Sequence, residues 1–454
     1  MLTKSLKNLW ARFLFQDRGI LPTKRLLWIY LGISVFFVLL GGFLPISWPV
    51  IIIMNLFILA ASLADVFFSP RKEELSLMRT LPDEWERGLP YTIHMQVENR
   101  SEYPFSYAFV DDLPQSFLRP FPVVGKGEKR AVTQASYNTR ASVRGDYAVN
   151  KLYFRYQSVW GLWEKQITVE IPQEVKVIPD MTETKHYLQD AQKFLLHEGE
   201  KIRKYSSGSG EFAQIRKYAA GDDPRMINWR QTAKLQEVMT NEYEPEHGKY
   251  ITILLDCGRM MGAELKKGNR LERSLEAAMT VAAAALKKGD YVSVLVFSKG
   301  VKGYVPPAKG MEHLQLILKT IYSVQADPVE SNYGAVFSFL ETMQKKRSLL
   351  LLFSDIRAFL YEESMLDHLM KIRRRHVFFM IGVKDEAVQR RISERPNHVE
   401  QAMIKSIAQQ QMLFQKREKA NWESRGLLMV ETEEGKLASA AVSYYIDMMN
   451  RNLL

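Results

Sequence analysis

The chain has 454 residues, 46% of them hydrophobic and 25% charged, which excludes a disordered chain and exceeds what one ordinary core holds. A formal net charge of +11 narrows the partner classes to nucleic acid, an anionic membrane surface, or membrane insertion with basic flanks. The single cysteine, Cys257, excludes an intrachain disulfide framework and a cysteine-rich zinc site.

In chain order, the first signal is LLWIYLGISVFFVLLGGFL, Leu26 to Leu44, an uncharged stretch long enough to cross a hydrocarbon core of about 30 Å. A second apolar stretch, VIIIMNLFILAASLADVFF, follows from Val50 to Phe68 with Asp65 near its end. The short break PISWP makes the pair a helical hairpin, so residues 1–70 read as a basic segment and two transmembrane helices. Lys4, Lys7, Arg12, Arg18, Lys24 and Arg25 face the single acid Asp17 in the leader, and the break has no Lys or Arg. Both ends are therefore expected in the cytoplasm, giving a multi-pass cell-membrane protein with its soluble bulk there. A cleaved signal peptide fits less well, because a second span follows at once. Asn55 in the second span marks a helix–helix contact or bonds to its own backbone.

Residues 71–180 change to strand periodicity. In YTIHMQVEN, Tyr91, Ile93, Met95 and Val97 share one face; Leu152, Phe154 and Tyr156 alternate in KLYFRYQ, as do Ile167, Val169 and Ile171 in ITVEI. Turn signals such as VGKGEK and VRGDY separate these runs, which predicts an all-β, sandwich-like domain. Asp111 and Asp112, ahead of Leu113 and Pro114, read as a turn rather than a calcium pair.

The connecting region, 181–249, contains SSGSGEFAQIRKYAAGDDPRMINWRQTAK from Ser206 to Lys234. Gly208, Gly210 and Ala213 match a dinucleotide fingerprint in form, but EGEKIRKY before them is no buried strand. Gly221 makes a turn, Asp223 caps a helix beginning at Pro224, and Asp222, Arg225 and Arg230 are expected to cluster around Trp229. A cap and an ion pair account for Asp222 and Asp223 better than catalysis does.

From residue 250 to 454, strand and helix patterns alternate, predicting an α/β doubly wound domain with a polar insertion near 384–426. ITILLD is a continuous apolar run ending on Asp256, and SLLLLFSD ends on Asp355. In such sheets ligands bind beyond the carboxyl ends of the strands. The chain has no Walker A, H-E-x-x-H or G-x-S-x-G motif, so it carries no signature of nucleotide hydrolysis, of a zinc protease or of a serine hydrolase. The basic run KIRRRH, Lys371 to His376, reads as a solvated or lipid-facing helix surface before a nucleic-acid one.

The motif carried by Gly210, Glu211, Phe212, Arg216, Tyr218, Gly221, Asp222, Asp223, Arg225 and Trp229, followed by a strand ending on Asp256, closely resembles the bacterial family called domain of unknown function 58. The resemblance implies a membrane hairpin, a β-rich region and a von Willebrand factor A-like domain. Relatives with a complete metal-ion-dependent adhesion site surround magnesium with an Asp-x-Ser-x-Ser loop, a Thr and a second strand-end Asp. Carried over, Asp256 and Asp355 keep the carboxylates and Ser331 stands for the Thr, while Gly258 and Met260 replace both serines. A thioether is too soft for magnesium, so the site is degenerate: no cofactor is expected, or weak magnesium binding through Asp256, Ser331 and Asp355. Arg259 is expected between the two carboxylates. The resemblance further implies interaction rather than catalysis: no enzyme, but a membrane-anchored cytoplasmic scaffold or adaptor for protein partners, working with a MoxR-type AAA+ ATPase in protein or envelope complex assembly. The alternative is a metal-dependent hydrolase using Asp222, Asp223, Asp256 and Asp355, for which the sequence offers no convincing nucleophile.

Overall fold

The computed structural model describes residues 19–43, 48–197, 211–244, 248–360 and 365–450. Lys4, Lys7, Arg12, Arg18, Gly208 and Gly210 lie outside these residues. The chain divides into two compact units, Met1–Ile178 and Pro179–Leu454.

The first unit opens with a short strand, β1 (Ile20–Pro22), and two helices, α1 (Lys24–Phe43) and α2 (Trp48–Ser62). Both helices are long and apolar enough to cross a membrane, the second counted with its continuation to Glu74. Their large side chains point outward: Trp28, Leu31, Phe36, Leu39, Ile53 and Phe57 are all exposed. Asn55 makes both of its expected contacts. Its oxygen accepts from Ser34 Oγ across the hairpin at 2.6 Å, and its amide donates to Ile51 O at 2.9 Å.

Two sheets follow. β2 (Leu75–Thr80), β4 (Tyr91–Asn99) and β7 (Val132–Thr139) form one; β5 (Phe105–Asp111), β6 (Val123–Gly127), β8 (Gly145–Gln157) and β9 (Trp163–Ile178) form the other with β1 and the short β3 (Glu84–Glu86). The alternation does what period-2 sequences dictate: Ile93, Met95 and Val97 from one sheet share a buried core with Phe109, Phe154 and Tyr156 from the other. Asp111 corrects the turn reading. It ends β5 fully buried, pairs with buried Arg79, and accepts from Tyr137 Oη at 2.6 Å. Arg79 also donates to the carbonyls of Val149 (2.7 Å) and Ile171 (2.6 Å). Burial, reinforced by the Asp111 charge, pushes the Tyr137 hydroxyl well above its ordinary range.

The second unit begins with α3 (Thr182–His197), then a hairpin of β10 (Glu211–Lys217) and β11 (Met239–Glu244) flanking α4 (Trp229–Leu235). Next come β12 (Tyr250–Asp256), the two-residue strands β13 (Glu264–Leu265) and β14 (Gly268–Asn269), α5 (Arg270–Lys288), β15 (Tyr291–Phe297), β16 (Val301–Ala308), α6 (Met311–Ile321) and α7 (Tyr333–Met343). β17 (Ser348–Phe353), α8 (Ile356–Leu360), α9 (Met365–Arg373), β18 (Val377–Val383), α10 (Glu386–Ser393), α11 (Val399–Ser424), β19 (Leu428–Thr432) and α12 (Leu437–Asn450) complete it. The main sheet is mixed, in the order β16-β15-β12-β17-β18-β19, with β16 antiparallel at one edge and every other pairing parallel.

Leu254, Leu295, Leu352 and Met380 pack on one face of this sheet against Tyr333, Phe337, Phe359 and Trp422. The alternate residues face the other side, where Phe379 meets Tyr444 of α12 and α12 packs along α5. Coverage of both faces explains why ITILLD and SLLLLF are buried along their whole length and apolar at most positions. Beyond β18 the polar insertion forms the helices α10 and α11, and α11 is anchored to the core through buried Ala408 and Trp422.

Candidate functional site at the strand ends

β12 and β17 are parallel neighbours, so Asp256 and Asp355 emerge at the same edge of the sheet. Each carboxylate is already answered by the chain itself. Asp256 is buried and accepts four hydrogen bonds: from Ser331 Oγ, from Gly258 N at 2.8 Å, from Ser354 Oγ at 2.5 Å and from Tyr333 Oη at 3.1 Å. Tyr333 Oη and Ser354 Oγ also lie 2.9 Å apart. Burial pushes the Asp256 carboxyl above its ordinary range, and the hydroxyl and N–H donors pull it back only in part.

Gly258 is required by close approach. A Cβ there would lie 2.0 Å from Ser331 Oγ, so the space a serine side chain would take is filled by the Ser331 hydroxyl. Met260 falls in a short 3-10 turn, Arg259–Gly262, and lines the cavity beside the carboxylate. The loop is held from outside by Arg259 N donating to Val329 O (2.8 Å) and Asp327 N donating to Cys257 O (2.7 Å).

Asp355 meets a different set of groups. Arg270, the first residue of α5 and itself buried, forms an ion pair with it; Arg357 Nη2 lies 3.3 Å away and Ala358 N donates at 3.0 Å. Arg270 and Arg357 also pair with Asp385, at 3.3 and 2.6 Å. Burial alone would raise the Asp385 carboxyl, but Arg357, two N–H groups of α10 and Arg270 outweigh it and hold the pKa below the ordinary range. The expected role of Arg259 is therefore corrected. Its side chain is 61% exposed and pairs with Glu330, while the cations beside Asp355 come from the starts of α5 and α8.

Asp256, but not Asp355, borders a cavity of about 360 Å³ with Arg357, Met260, Leu360 and Tyr333 on its walls and Gln411, Phe414 and Gln415 of α11 closing one side. Neither Asp222 nor Asp223 lines it. Asp222 instead accepts both guanidinium nitrogens of Arg216, at 2.7 and 2.8 Å, together with Ala219 N at 2.8 Å. Tyr218 Oη donates to the Asp222 carbonyl at 3.0 Å, and Gly221 takes the left-handed φ of 108° that the turn needs. Asp223 caps the Pro224–Met226 turn through Arg225 N at 2.9 Å, as its position predicts. The expected cluster around Trp229 does not form, since Arg216 takes Asp222 and Trp229 is 70% exposed. Glu211 and Phe212 lie on β10, paired with Glu244 and Tyr243.

Residues 214–394 match a family model described as protein of unknown function DUF58. That match, to less than half of the chain, makes the region similar to the DUF58 family. Uncharacterized protein YeaD of Bacillus subtilis (strain 168) is 20% identical over 298 residues, 64% of this chain and 71% of YeaD. Among solved structures, a PapD-like domain of human CEP192 is 14% identical with a TM-score of 0.19, over 24% of this chain and 89% of that domain. Proximal thread matrix protein 1 from the mussel byssus is 10% identical with a TM-score of 0.27, over 43% of this chain and 44% of its own. At these scores neither likeness bears on function.

The matched region holds Asp256, Ser331, Asp355, Arg270, Arg357 and Asp385, and ends before α11. Sequence reading missed Arg270, Arg357, Asp385, Tyr333 and Ser354. The available signals were local ones: Ser354 precedes a strand-end aspartate, and Arg270 follows Asn269, whose side chain accepts from Glu272 N and caps α5. Among the described residues, no three or more His, Cys, Asp or Glu side chains gather as a metal-binding group.

Proposed function

We propose that this protein is a membrane-anchored, non-enzymatic adaptor that docks a protein partner at the strand-end cavity of a von Willebrand factor A-like domain, without a metal ion. The observation that carries the reading is the state of the two carboxylates. Asp256 has its acceptor positions occupied by three hydroxyls and an N–H, and Asp355 is neutralised by Arg270 and Arg357. Magnesium needs near-octahedral oxygen coordination, which here would require breaking both sets of contacts; Gly258 and Met260 offer no oxygen side chain in return. A hydrolase reading lacks an activated nucleophile, and two of its four carboxylates, Asp222 and Asp223, are spent on a turn and a cap.

The apolar hairpin supports anchoring as a multi-pass protein, with the basic leader favouring a cytoplasmic bulk. The partner we propose is a MoxR-type AAA+ ATPase, as the family resemblance implies, acting in protein or envelope complex assembly. Tagged full-length protein captured from native membranes tests this against Phe414→Arg, which places a cation in the cavity wall formed by α11. The ATPase is expected with the wild type and absent with the variant. Equal recovery would show that the cavity is not the docking face.

A further inference from the structure

Within the first unit, the loop 158–163 is gripped by both helices at once. Asp65, just past α2 and 1% exposed, accepts from Ser158 Oγ, from Leu162 N at 2.9 Å and from Trp163 N at 3.0 Å. Ser62 Oγ accepts from Trp163 Nε1 at 3.2 Å. From just ahead of α1, Thr23 donates through its backbone N to Leu162 O (3.0 Å) and through Oγ1 to Gly161 O (2.6 Å). β1 continues this grip by pairing antiparallel with the start of β9. A carboxylate at the end of an apolar helix is costly unless paired, and three donors from one loop supply the pairing.

The residues this grip leaves outside are apolar and aromatic. Val159 is 66% and Trp160 61% exposed, and Phe67, only two residues past Asp65, is 80% exposed. Phe68 packs against both Trp160 and Tyr103, with ring centroids 5.2 and 6.0 Å away. Trp28, one turn into α1, is also exposed, and Lys24, Arg25, Arg71 and Lys72 present their charges at this end of the hairpin. Aromatic side chains flanked by cations are the composition that partitions into lipid headgroups rather than into hydrocarbon or water.

We infer that the loop 158–163 and the adjoining helix ends form a seat in the headgroup region of an anionic bilayer, with Val159 and Trp160 inserted among the lipids. The argument for lipid as the occupant is continuity: these side chains extend the exposed apolar surface of α1 and α2, and Asp65 locks the loop to the end of that surface. The inference rests on reading the two helices as membrane spans. It adds that the β-domain is fixed at the bilayer by a rigid contact rather than tethered by a flexible linker.

The test uses full-length protein in nanodiscs of phosphatidylcholine and phosphatidylglycerol, with an environment-sensitive fluorophore on Val159→Cys, Ile53→Cys or Val124→Cys. Lipids carrying a quencher near the headgroup or deep in the acyl chain report depth. Position 159 is expected to lose most of its emission to the shallow quencher, position 53 to the deep one, and position 124 to neither. If 53 is quenched and 159 behaves like 124, the seat is wrong while the spans stand. If 53 is not quenched, the membrane reading fails and takes the seat with it. An Asp65→Ala background supplies a second readout: loss of shallow quenching at 159 with 53 unchanged is expected, and unchanged quenching at 159 would overturn the role given to Asp65.

Discussion

Ser331 Oγ donates to Asp256 and fills the space where a side chain on residue 258 would stand, 2.0 Å from a Cβ built on Gly258. The glycine and the serine are thus a matched pair, and the carboxylate between them is closed by its own neighbours.

Gly258→Ser should overpack this closure and destabilise the second unit by about 1–3 kcal/mol, since the new Cβ would stand 2.0 Å from Ser331 Oγ and 3.2 Å from the Ser331 backbone N. Ser331→Gly in the same chain should recover most of the loss, because the new hydroxyl can take over the bond to Asp256. Urea unfolding of the four proteins in the cycle measures this, with a coupling of about 0.5–3 kcal/mol expected and additivity contradicting it.

Arg270→Met removes the buried partner of Asp355 and should cost about 3–5 kcal/mol, the penalty of leaving a buried charge uncompensated. Arg357→Met should cost less, because Arg357 is part-exposed and Arg270 still faces both aspartates. Adding Asp355→Asn to Arg270→Met should restore part of the stability. Chemical denaturation midpoints rank the variants, and equal losses for Arg270 and Arg357 would refute the division of roles.

The Cys257 thiol is buried, donates to Phe297 O at 2.9 Å, and is pushed up to about 12, chiefly by burial. Against about 8.5 for an unfolded thiol, the native thiolate fraction near pH 8 falls about 10³-fold, so the folded protein should resist alkylating reagents until denatured. The sign for stability follows from proton binding. The folded state holds the proton more tightly, so stability should fall from about pH 8.5 toward pH 12 by up to about 1.4 kcal/mol per unit. Cys257→Ala should remove that slope, which alkaline unfolding curves would register.

Much of the fold was legible because its periodicities are local. Ile93, Met95 and Val97 announce a half-buried strand, and Leu254 to Asp256 announce the end of a covered one. What was not legible depends on partners distant in sequence. Asp111 beside Pro114 looks like a turn until Arg79, on β2 of the facing sheet, is brought against it. Arg259 looked like the cation of the site because it is adjacent in sequence, yet the 3-10 turn aims it at Glu330 and leaves the role to Arg270. The ion pair expected at Asp222 forms, but its partner is Arg216 on the strand before it rather than Arg225 or Arg230.

The most direct measurement of the central claim is capture of partners by the tagged full-length protein from native membranes, run in parallel with magnesium and with a chelator. Docking through a site closed by Ser331 and Arg270 predicts the same AAA+ ATPase in both samples. Recovery of that ATPase only with magnesium would contradict it, because it would point to an ion at Asp256 and Asp355, where the proposed docking uses none.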